Sequence, residues 1–479
     1  MRRFIVGRDR TQASLFPERL DDYVAEDNPV RVVDLFVERL NLTDQGFDRV
    51  TPKATGRPGY ESSTLLKIYI YGYLNRIPSS RRLEGETRRN VEMMWLTCCL
   101  SPDHKTIAEF RKDNGKAIVS VCREFVGVCR DMLALTEHQV AIDGSKFKAV
   151  NNRDKNFTDA KMKRRQEGID KAITHYLTEL DEADRVEPEI ALLNVSAIKD
   201  RLEKLHEERA KLKVYAQALE ASSDKQISLT DPDSRAMKTR GTAVVGYNVQ
   251  TVVDTKHHLI VAHDVVNACT DVTLLSAMAH KGASAMGTTE LEVLSDRGYY
   301  KGPQIVECEE SGMRTYVPKP LTSGSKKKGL FTKQDFVYEP EHDRYRCPAG
   351  EHLTRRFDTV ERGLNMHVYF ASMPTCRRCL KKAQCTETPL RRVRRWEQED
   401  VLDAMQSRLD QAPEKMQLRR QTVEHPFGTI KAWMGYTHFL TKTLPKVRTE
   451  MSLQVLAYNM KRAMNLIGVG ALLEALEAP

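Results

Sequence analysis

Long apolar runs are missing from this sequence of 479 residues. None reaches the roughly 20 residues that a membrane-spanning helix needs. The basic start Met1–Arg10 also precedes no apolar segment of signal-peptide length. A glycine-rich phosphate loop and the turn that presents a catalytic serine are both missing, so nothing favours ATP use or serine-type hydrolysis. The 13 histidines do not cluster as metal ligands. These absences lead us to expect a cytoplasmic protein with no membrane partner.

The composition is that of a globular protein with two or three domains, since 41% of the residues are hydrophobic and 29% are charged. The formal net charge is +9, from 75 basic and 66 acidic residues. A single basic cluster is more often solvated surface than a binding site, but the number of clusters favours a polynucleotide partner. The clusters are Arg81–Arg82, Arg88–Arg89, Lys163–Arg165, Lys326–Lys328, Arg377–Arg378, Lys381–Lys382 and Arg391–Arg395.

The N-terminal region, residues 1–130, has the pattern of a helical domain. A turn-rich break at Gly56–Tyr60 precedes a densely apolar helical stretch from Leu65 to Leu74. Pro102–Arg111 reads as a turn followed by an amphipathic helix. A DNA-binding helix-turn-helix and a plain helical bundle fit this pattern equally well.

Strand patterns begin near residue 135 and predict an α/β fold. The predicted order is a strand at Gln139–Ile142, two further strands joined as a hairpin, a helix, a strand at Leu291–Leu294, a helix and a strand at Thr315–Val317. This is the order of an RNase-H-like mixed sheet flanked by helices. We assign residues 135–330 to the first part of this core and residues 400–479 to C-terminal helices that complete it.

A helical hairpin is predicted to interrupt the core between residues 155 and 225. Apolar stripes run through residues 162–180 and 195–219, and the second keeps a heptad spacing with Arg209 at one seam position. Two such stripes predict an antiparallel coiled coil.

Four of the ten cysteines lie in one segment, residues 335–395, which we expect to be a second insertion. Cys376 and Cys379 form a C-x₂-C pair, Cys385 follows, and Cys347 lies in a predicted turn. Four thiolates can close a structural Zn²⁺ site, and in a reducing cytosol metal binding is favoured over disulfides. Free thiols are the alternative. The other six cysteines lie mostly in apolar runs and are expected in the core.

Three acidic residues are the candidate catalytic groups. Asp143 and Asp296 each follow a predicted buried strand, and Glu424 lies on a predicted helix. Each alone is explained as a turn or surface residue. Carboxylates from two strand ends and a helix can together hold two Mg²⁺ ions about 4 Å apart for in-line phosphoryl transfer.

Basic residues accompany the glutamate at helical spacing. Arg420 and Lys431 stand four residues before and seven residues after Glu424, so one helix face can carry all three. Pro426 lacks an N–H group and predicts a kink or a restart of the helix near Glu424.

These motifs resemble the acidic-triad (DDE) transposases of bacterial insertion sequences, and the resemblance covers nearly the whole chain. In the N-terminal region it is carried by Gly56–Pro58, Ser79–Arg81, Trp95 and Pro102–Arg111. In the rest it is carried by Asp143–Lys146, Asp231–Arg235, Gly246–Gln250, Asp296–Tyr299, Glu424–Gly428 and Ala457–Arg462. A tyrosine that the related Tyr–Arg–Glu–Lys signature places three residues before the arginine is here Gln417.

The resemblance implies a DNA transposase whose metal ligands are Asp143, Asp296 and Glu424, with two Mg²⁺ or Mn²⁺ ions as cofactors. Arg420 and Lys431, together with the basic residues of the aspartate motifs, Lys146 and Arg297, are then expected to contact DNA phosphates. The expected partners are double-stranded terminal inverted repeats and target DNA, with a homodimer assembled on them. Such an enzyme acts in the bacterial cytoplasm, at the nucleoid.

Two other functions remain open from the residues. A metal-dependent nuclease on the same core would cut DNA without joining it. A DNA-binding regulator would have lost catalysis, although the presence of all three carboxylates argues against that alternative.

Overall fold

The structure, a computed structural model, describes most of the chain. The described residues are 19–48, 50, 59–135, 137–151, 155–183, 188–222, 225–239, 242–320 and 324–477, without the side chains of residues 180–195, 326 and 327. Gly56–Pro58, one of the resembling segments, lies outside them, as do the side chains of Leu180, Val195, Lys326 and Lys327.

The chain divides into two units, each made of separate segments. The first contains Met1–Thr136, Gly144–Cys269 and Glu424–Pro479, and the second contains Glu137–Asp143 and Thr270–Val423.

Helices form the beginning of the first unit. Asn28 caps the first of them by accepting a hydrogen bond from the Val30 N–H, and Asp103 caps the fifth in the same way. The second helix is apolar on all sides and almost fully buried, as expected for a central helix. The helices are α1 (Pro29–Arg39), α2 (Ser62–Leu74), α3 (Ser80–Glu86), α4 (Val91–Leu96), α5 (His104–Asp113) and α6 (Gly115–Leu133).

A long strand, β1 (Gln139–Lys148), and a helical hairpin follow. A short antiparallel ladder between β2 (Asn156–Thr158) and β3 (Gln226–Ser228) closes the base of the hairpin α7 (Asp159–Ala183) and α8 (Pro188–Ala221). The predicted apolar stripes meet in the core of the hairpin. Arg209, at the polar position of the second stripe, forms an ion pair with α7, with its Nε atom 3.2 Å from Asp170 Oδ1. The buried core residues are Phe157, Met162, Ile169, Ile173, Leu202, Leu212 and Leu219.

The central sheet is mixed. An antiparallel meander of β4 (Arg235–Lys238), β5 (Ala243–Asp254) and β6 (Ile260–Val266) lies in the first unit. In the second unit β1 pairs in parallel with β7 (Glu292–Ser295), which pairs in parallel with β8 (Arg314–Tyr316). The hydrogen-bonded order is β4-β5-β6 in the meander of the first unit and β1-β7-β8 in the second unit. This confirms the predicted mixed α/β fold with a helical N-terminal region. The helices that connect these strands are α9 (Leu275–Met286) and α10 (Gly302–Glu310), and α11 (Gly324–Lys327) follows β8.

The cysteine-containing segment of the second unit forms a separate antiparallel sheet in the order β13-β12-β11-β10-β9. Its strands are β9 (Val337–Glu339), β10 (Arg344–Arg346), β11 (His352–Glu361), β12 (Leu364–Phe370) and β13 (Val393–Trp396). Two short helices, α12 (Met373–Arg378) and α13 (Lys382–Cys385), lie between its last two strands.

The C-terminal helices are α14 (Glu399–Gln411), α15 (Glu414–Gly428), α16 (Leu444–Ile467) and α17 (Val469–Glu477). Within the first unit α16 packs on α2, α6 and β6, and α17 packs on α1. The Asn459 side chain on α16 bonds both the N–H and the carbonyl of Ile260 at the start of β6. The last helices therefore share a core with the first ones.

Helix α15 passes through Pro426 without restarting near Glu424, which corrects that alternative. Pro426 removes one backbone N–H, and the helical geometry changes only afterwards, in a π-helical turn at Thr429–Trp433. No helix among the described residues is long and apolar enough to span a lipid bilayer.

The resembling segment Asp231–Arg235 has a structural role in the first unit. Asp231 is fully buried, and its carboxylate accepts hydrogen bonds from the Tyr247 hydroxyl at 2.8 and 2.9 Å and from the Thr443 N–H at 3.0 Å. Asp233 accepts one from the Leu444 N–H at 2.7 Å. These two carboxylates fix the beginning of α16, so we assign no metal to Asp231.

We predict that Asp231→Ala lowers the free energy of unfolding by about 2–4 kcal/mol, because it leaves the Tyr247 hydroxyl and the Thr443 N–H without an acceptor. Urea unfolding followed by circular dichroism measures this loss. Asp200→Ala, at an exposed position of α8, is the matched control and should change it by less than about 0.5 kcal/mol. Equal losses in the two variants would contradict the assignment.

Candidate active site

The parallel pairing of β1 with β7 brings two of the predicted catalytic residues together. The register joins Gln139 with Glu292 and continues to Ile142 with Ser295. Asp143 and Asp296 are the next residues on the two strands, and paired strands lie about 4.8 Å apart. Val140–Ile142 and Val293–Ser295 are buried, and Asp143 and Asp296 are the first partly exposed residues after them.

Asp296 is held by the turn that follows it. Its Oδ1 atom accepts a hydrogen bond of 2.8 Å from the Gly298 N–H and caps a short 3₁₀ turn at Arg297–Tyr299. A Cβ atom at position 298 would lie only 2.9 Å from that Oδ1 atom, so a larger residue there would have to push the Asp296 carboxylate aside. The Asp296 side chain remains 47% exposed and accessible to a ligand.

A cation that the sequence analysis did not select lies between the two aspartates. The Nη2 atom of Arg419 is 2.8 Å from Asp143 Oδ1 and 4.0 Å from Asp296 Oδ2. The Arg419 side chain is only 13% exposed. Arg420, which was predicted to share a helix face with Glu424, is exposed, as Glu424 is.

The apolar face of α15 explains which arginine faces the sheet. Val423 is buried against Ala141 and Leu294, and Met416 packs on the same cluster. Residues 416, 419 and 423 follow a spacing of three and four, so they share one face of the helix. Arg419 therefore points to Asp143 and Asp296. Arg420, the next residue, lies about 100° away around the helix.

Tyr299 forms a buried side of this site. It is fully buried, and burial, followed by the negative charges of Asp271, Asp143 and Asp296, raises the pKa of its hydroxyl well above the ordinary value. The phenol therefore stays neutral at physiological pH. Asp271, which lies before α9, is a third carboxylate in this region that the sequence analysis missed.

The remaining predicted residues occupy different positions. Glu424 is exposed on α15, and Arg297 is exposed beside Asp296. The Lys431 ammonium donates hydrogen bonds to Ser145 Oγ at 2.6 Å and to the Lys146 carbonyl at 3.0 Å. It also lies 4.4 Å from the centre of the Phe147 ring. Lys431 is thus attached to the second half of β1, within the first unit.

The paired aspartates are suitable ligands for a hard divalent cation. Oxygen ligands are those that Mg²⁺ prefers, and the Arg419 guanidinium in contact with Asp143 shows that the pair attracts a positive charge. Among the described residues no group of three or more His, Cys, Asp or Glu is placed to hold a metal ion. A metal ion held by this pair would therefore need further ligands.

The four selected cysteines line one small cavity in the second unit. Its volume is about 40 Å³, enough for an ion or a few waters but far below the size of an organic cofactor site. Cys347 lies in a tight turn, where the Gly350 N–H donates to its carbonyl and Gly350 has a φ of +87°. Burial raises the pKa of the Cys385 thiol, and the other three thiols raise it further.

The other six cysteines are core residues only in part. Cys122, Cys129 and Cys308 are buried, as expected. Cys98, Cys99 and Cys269 are exposed, which corrects the prediction for them. Cys98 and Cys99 have positive φ values in the turn after α4, and this turn carries them out of the apolar helix face.

Comparison with known families gives two matches. Residues 18–113 match a family described as a transposase domain (DUF772), and residues 218–460 match the family described as the transposase DDE domain. The comparison with curated proteins finds no match. A solved structure, the cryo-EM structure of the piggyBac transposase synaptic complex with hairpin DNA, shares 8% identity over 95% of this chain and 82% of that chain. Its TM-score is 0.29, so this likeness carries no argument.

We predict that Gly298→Ala weakens Mn²⁺ binding by about tenfold, because the new methyl group displaces Asp296 Oδ1 from its position. Isothermal titration calorimetry without DNA measures the affinity. Gly85→Ala is the control, since a Cβ atom there meets open space. An unchanged affinity in Gly298→Ala would show that the Asp296 carboxylate is not a metal ligand in this conformation.

Proposed function

Because this chain belongs to the transposases with a DDE domain, we propose that it cuts DNA at the ends of an insertion sequence and joins those ends to target DNA. A DDE transposase domain is that of an enzyme that cleaves and transfers DNA. The observation that carries the finer proposal is the side-by-side placement of Asp143 and Asp296, directly after the last residue pair of the parallel β1–β7 ladder.

In this proposal Asp143 and Asp296 are two ligands of the divalent metal, and Glu424 is the third. Two bound Mg²⁺ or Mn²⁺ ions would activate the attacking oxygen and stabilise the leaving 3′ oxygen. The neutral Tyr299 phenol and the apolar cluster beneath α15 keep the inner side of the site rigid and dry. No side chain needs to form a covalent bond with DNA.

The reaction then has two balanced steps. In the first a water oxygen bonds to the phosphorus at the end of the element, the P–O3′ bond breaks, and the strand leaves with a free 3′-OH. In the second that 3′-OH bonds to a target phosphorus and a target 3′ oxygen leaves. Each step exchanges one phosphodiester or P–O bond for another, so no external energy source is required.

The basic residues supply DNA contacts in this proposal. Arg297 follows Asp296, Arg420 stands four residues before Glu424, and both are exposed. Guanidinium groups bind phosphate oxygens in pairs. Lys146 and Lys431, whose ammonium donates to the Lys146 carbonyl, are assigned to the phosphate backbone as well. The N-terminal helices, within the matched transposase domain, are assigned to binding the terminal inverted repeats.

The proposed assembly is a homodimer on DNA, since two ends must be cut and joined together. We assign the exposed helical hairpin α7–α8 as a candidate contact between copies. The proposed place of action is the bacterial cytoplasm, at the nucleoid, where its DNA substrate lies.

We predict that Asp143→Asn, Asp296→Asn and Glu424→Gln each lower Mg²⁺-dependent strand cleavage at least about a thousandfold, because each removes a charged metal ligand while keeping the side-chain shape. Cleavage of a labelled DNA carrying the element end measures the rate, and gel-shift titration should find DNA binding retained. Asp200→Asn is the control. Three variants that cut like the wild type would refute the triad.

The same assay separates the alternatives. Joining of a pre-cleaved end to target DNA in Mg²⁺ is expected of a transposase, whereas a nuclease would cut without joining. A regulator that has lost catalysis would bind the ends and do neither.

A structural zinc ion is the second part of the proposal. The supporting observation is that the four thiols line the same cavity. Cys347 comes from the turn after β10, Cys376 and Cys379 from α12 and its end, and Cys385 from the end of α13. The described thiols are not already grouped as metal ligands, so zinc would draw them together. Four thiolates suit Zn²⁺ in a structural site, and the ion would hold the ends of β10, α12 and α13 together.

We predict one zinc per chain in protein purified without chelator, and at most about half of that in Cys379→Ser, because a structural site needs all four ligands. Inductively coupled plasma mass spectrometry measures the metal content. The exposed Cys269→Ser is the control and should keep the zinc. Metal-free wild-type protein whose four thiols all react with a thiol reagent would support the free-thiol alternative.

A further inference from the structure

Arg419 is charged, mostly buried and in contact with a proposed metal ligand. Its guanidinium lies nearer to Asp143 than to Asp296, at 2.8 and 4.0 Å. An arginine does not lose its proton under physiological conditions, so the positive charge stays at this position as long as the side chain does.

The contact between Arg419 and Asp143 lacks the form of a structural ion pair. An arginine that anchors a carboxylate usually donates two aligned, parallel hydrogen bonds. Here the Nη2 atom is close to Asp143 Oδ1, yet its N–H groups are not directed at an acceptor, and the buried Nε atom also has none among the described residues. Charge attraction holds this pair, with little contribution from directed hydrogen bonds.

Position on the helix makes Arg419 the cation of this site. Lys415 lies one turn earlier on the same face of α15, and its Nζ atom is 2.7 Å from Glu292 Oε2 on β7. Two successive turns of α15 therefore each place a cation near an acidic residue, Glu292 in β7 and Asp296 just after it. Glu292 is also bonded by Gln139 and Tyr316 and forms a fully paired structural contact. Of these two ion pairs, the one made by Arg419 is the one with unfilled hydrogen-bond donors.

We propose that Arg419 is an internal cation that occupies Asp143 until a divalent metal ion displaces it. This inference rests on the proposed function. A metal ion needs the same Asp143 oxygen that Arg419 contacts, and two positive charges at one carboxylate repel each other. Without metal, Arg419 offsets the repulsion between Asp143 and Asp296 and keeps both carboxylates in place. With metal, its charge lowers the affinity of the site for the ion.

The test is Mn²⁺ binding to the full-length protein without DNA, measured by isothermal titration calorimetry and by electron paramagnetic resonance of free Mn²⁺. Arg419→Gln removes the competing charge and is expected to bind Mn²⁺ at least about tenfold more tightly than the wild type. Arg314→Gln makes the same change of charge at an exposed position of β8, and its affinity should stay within about twofold of the wild type.

Arg419→Lys keeps the positive charge but not the length and fork of the guanidinium, so we expect Mn²⁺ binding about two- to threefold tighter than in the wild type. This variant decides the question if Arg419→Gln does not fold. Unchanged or weaker Mn²⁺ binding in the folded Arg419 variants would overturn the proposal, because an arginine that merely positions Asp143 would strengthen metal binding.

Asp143→Asn separates this inference from the proposed function. Loss of Mn²⁺ binding in Asp143→Asn, with no gain in the Arg419 variants, would refute the role of Arg419 alone. Mn²⁺ binding that survives Asp143→Asn would refute the proposed metal centre itself.

Discussion

The parallel register between β1 and β7 is the constraint on which the site depends. Four residue pairs, from Gln139–Glu292 to Ile142–Ser295, form the parallel ladder, and Asp143 and Asp296 are the next residue on each chain segment. A slip of one residue would turn one aspartate to the opposite face of the sheet, because successive side chains alternate between faces. Burial of both strands opposes that slip, since Ile142 and Val293 would have to repack on the opposite face of the sheet. The hydrophobic pattern that builds the core thus also sets the spacing of the carboxylates.

Helix α15 adds a second constraint, that of charge. Val423 and Met416 pack on Ala141 of β1 and Leu294 of β7. Because Arg419 lies on the same face of the helix, this packing places its guanidinium beside the two aspartates. Acidic residues at a sheet edge and a buried guanidinium are each costly alone, and together they offset one another. The result is a site that is stable without a metal ion but holds its carboxylates by an exchangeable contact. This combination suits a ligand set that must accept and release ions and DNA.

The sequence predicted the parts of the fold that follow from burial. Two short apolar runs ending in aspartate predicted the strands that carry Asp143 and Asp296, and the apolar stripes predicted the hairpin α7–α8. The C-x₂-C spacing likewise led to Cys376 and Cys379, which lie at one cavity with Cys347 and Cys385.

Other features depend on contacts that spacing alone does not reveal. Counting back from Glu424 selected Arg420, whose role beside Glu424 stays a prediction. The buried face of α15 is set by Met416 and Val423, and those residues point to Arg419. Their apolar spacing is the signal that could have identified it. Asp271 lies in a loop before α9, where no periodicity exists, so only the three-dimensional structure relates it to Tyr299. Pro426 was expected to kink the helix or make it restart near Glu424, and the helix instead continues through Pro426 to Gly428 without a restart.

The most direct test of the central claim is the position of a bound metal ion. Crystals of the full-length protein equilibrated with Mn²⁺ and measured at the manganese absorption edge would show it in an anomalous difference map. The account predicts a peak about 2.1–2.3 Å from carboxylate oxygens of both Asp143 and Asp296, with the Arg419 guanidinium moved away from Asp143. A peak at other residues, or no peak at these carboxylates at saturating Mn²⁺, would contradict it.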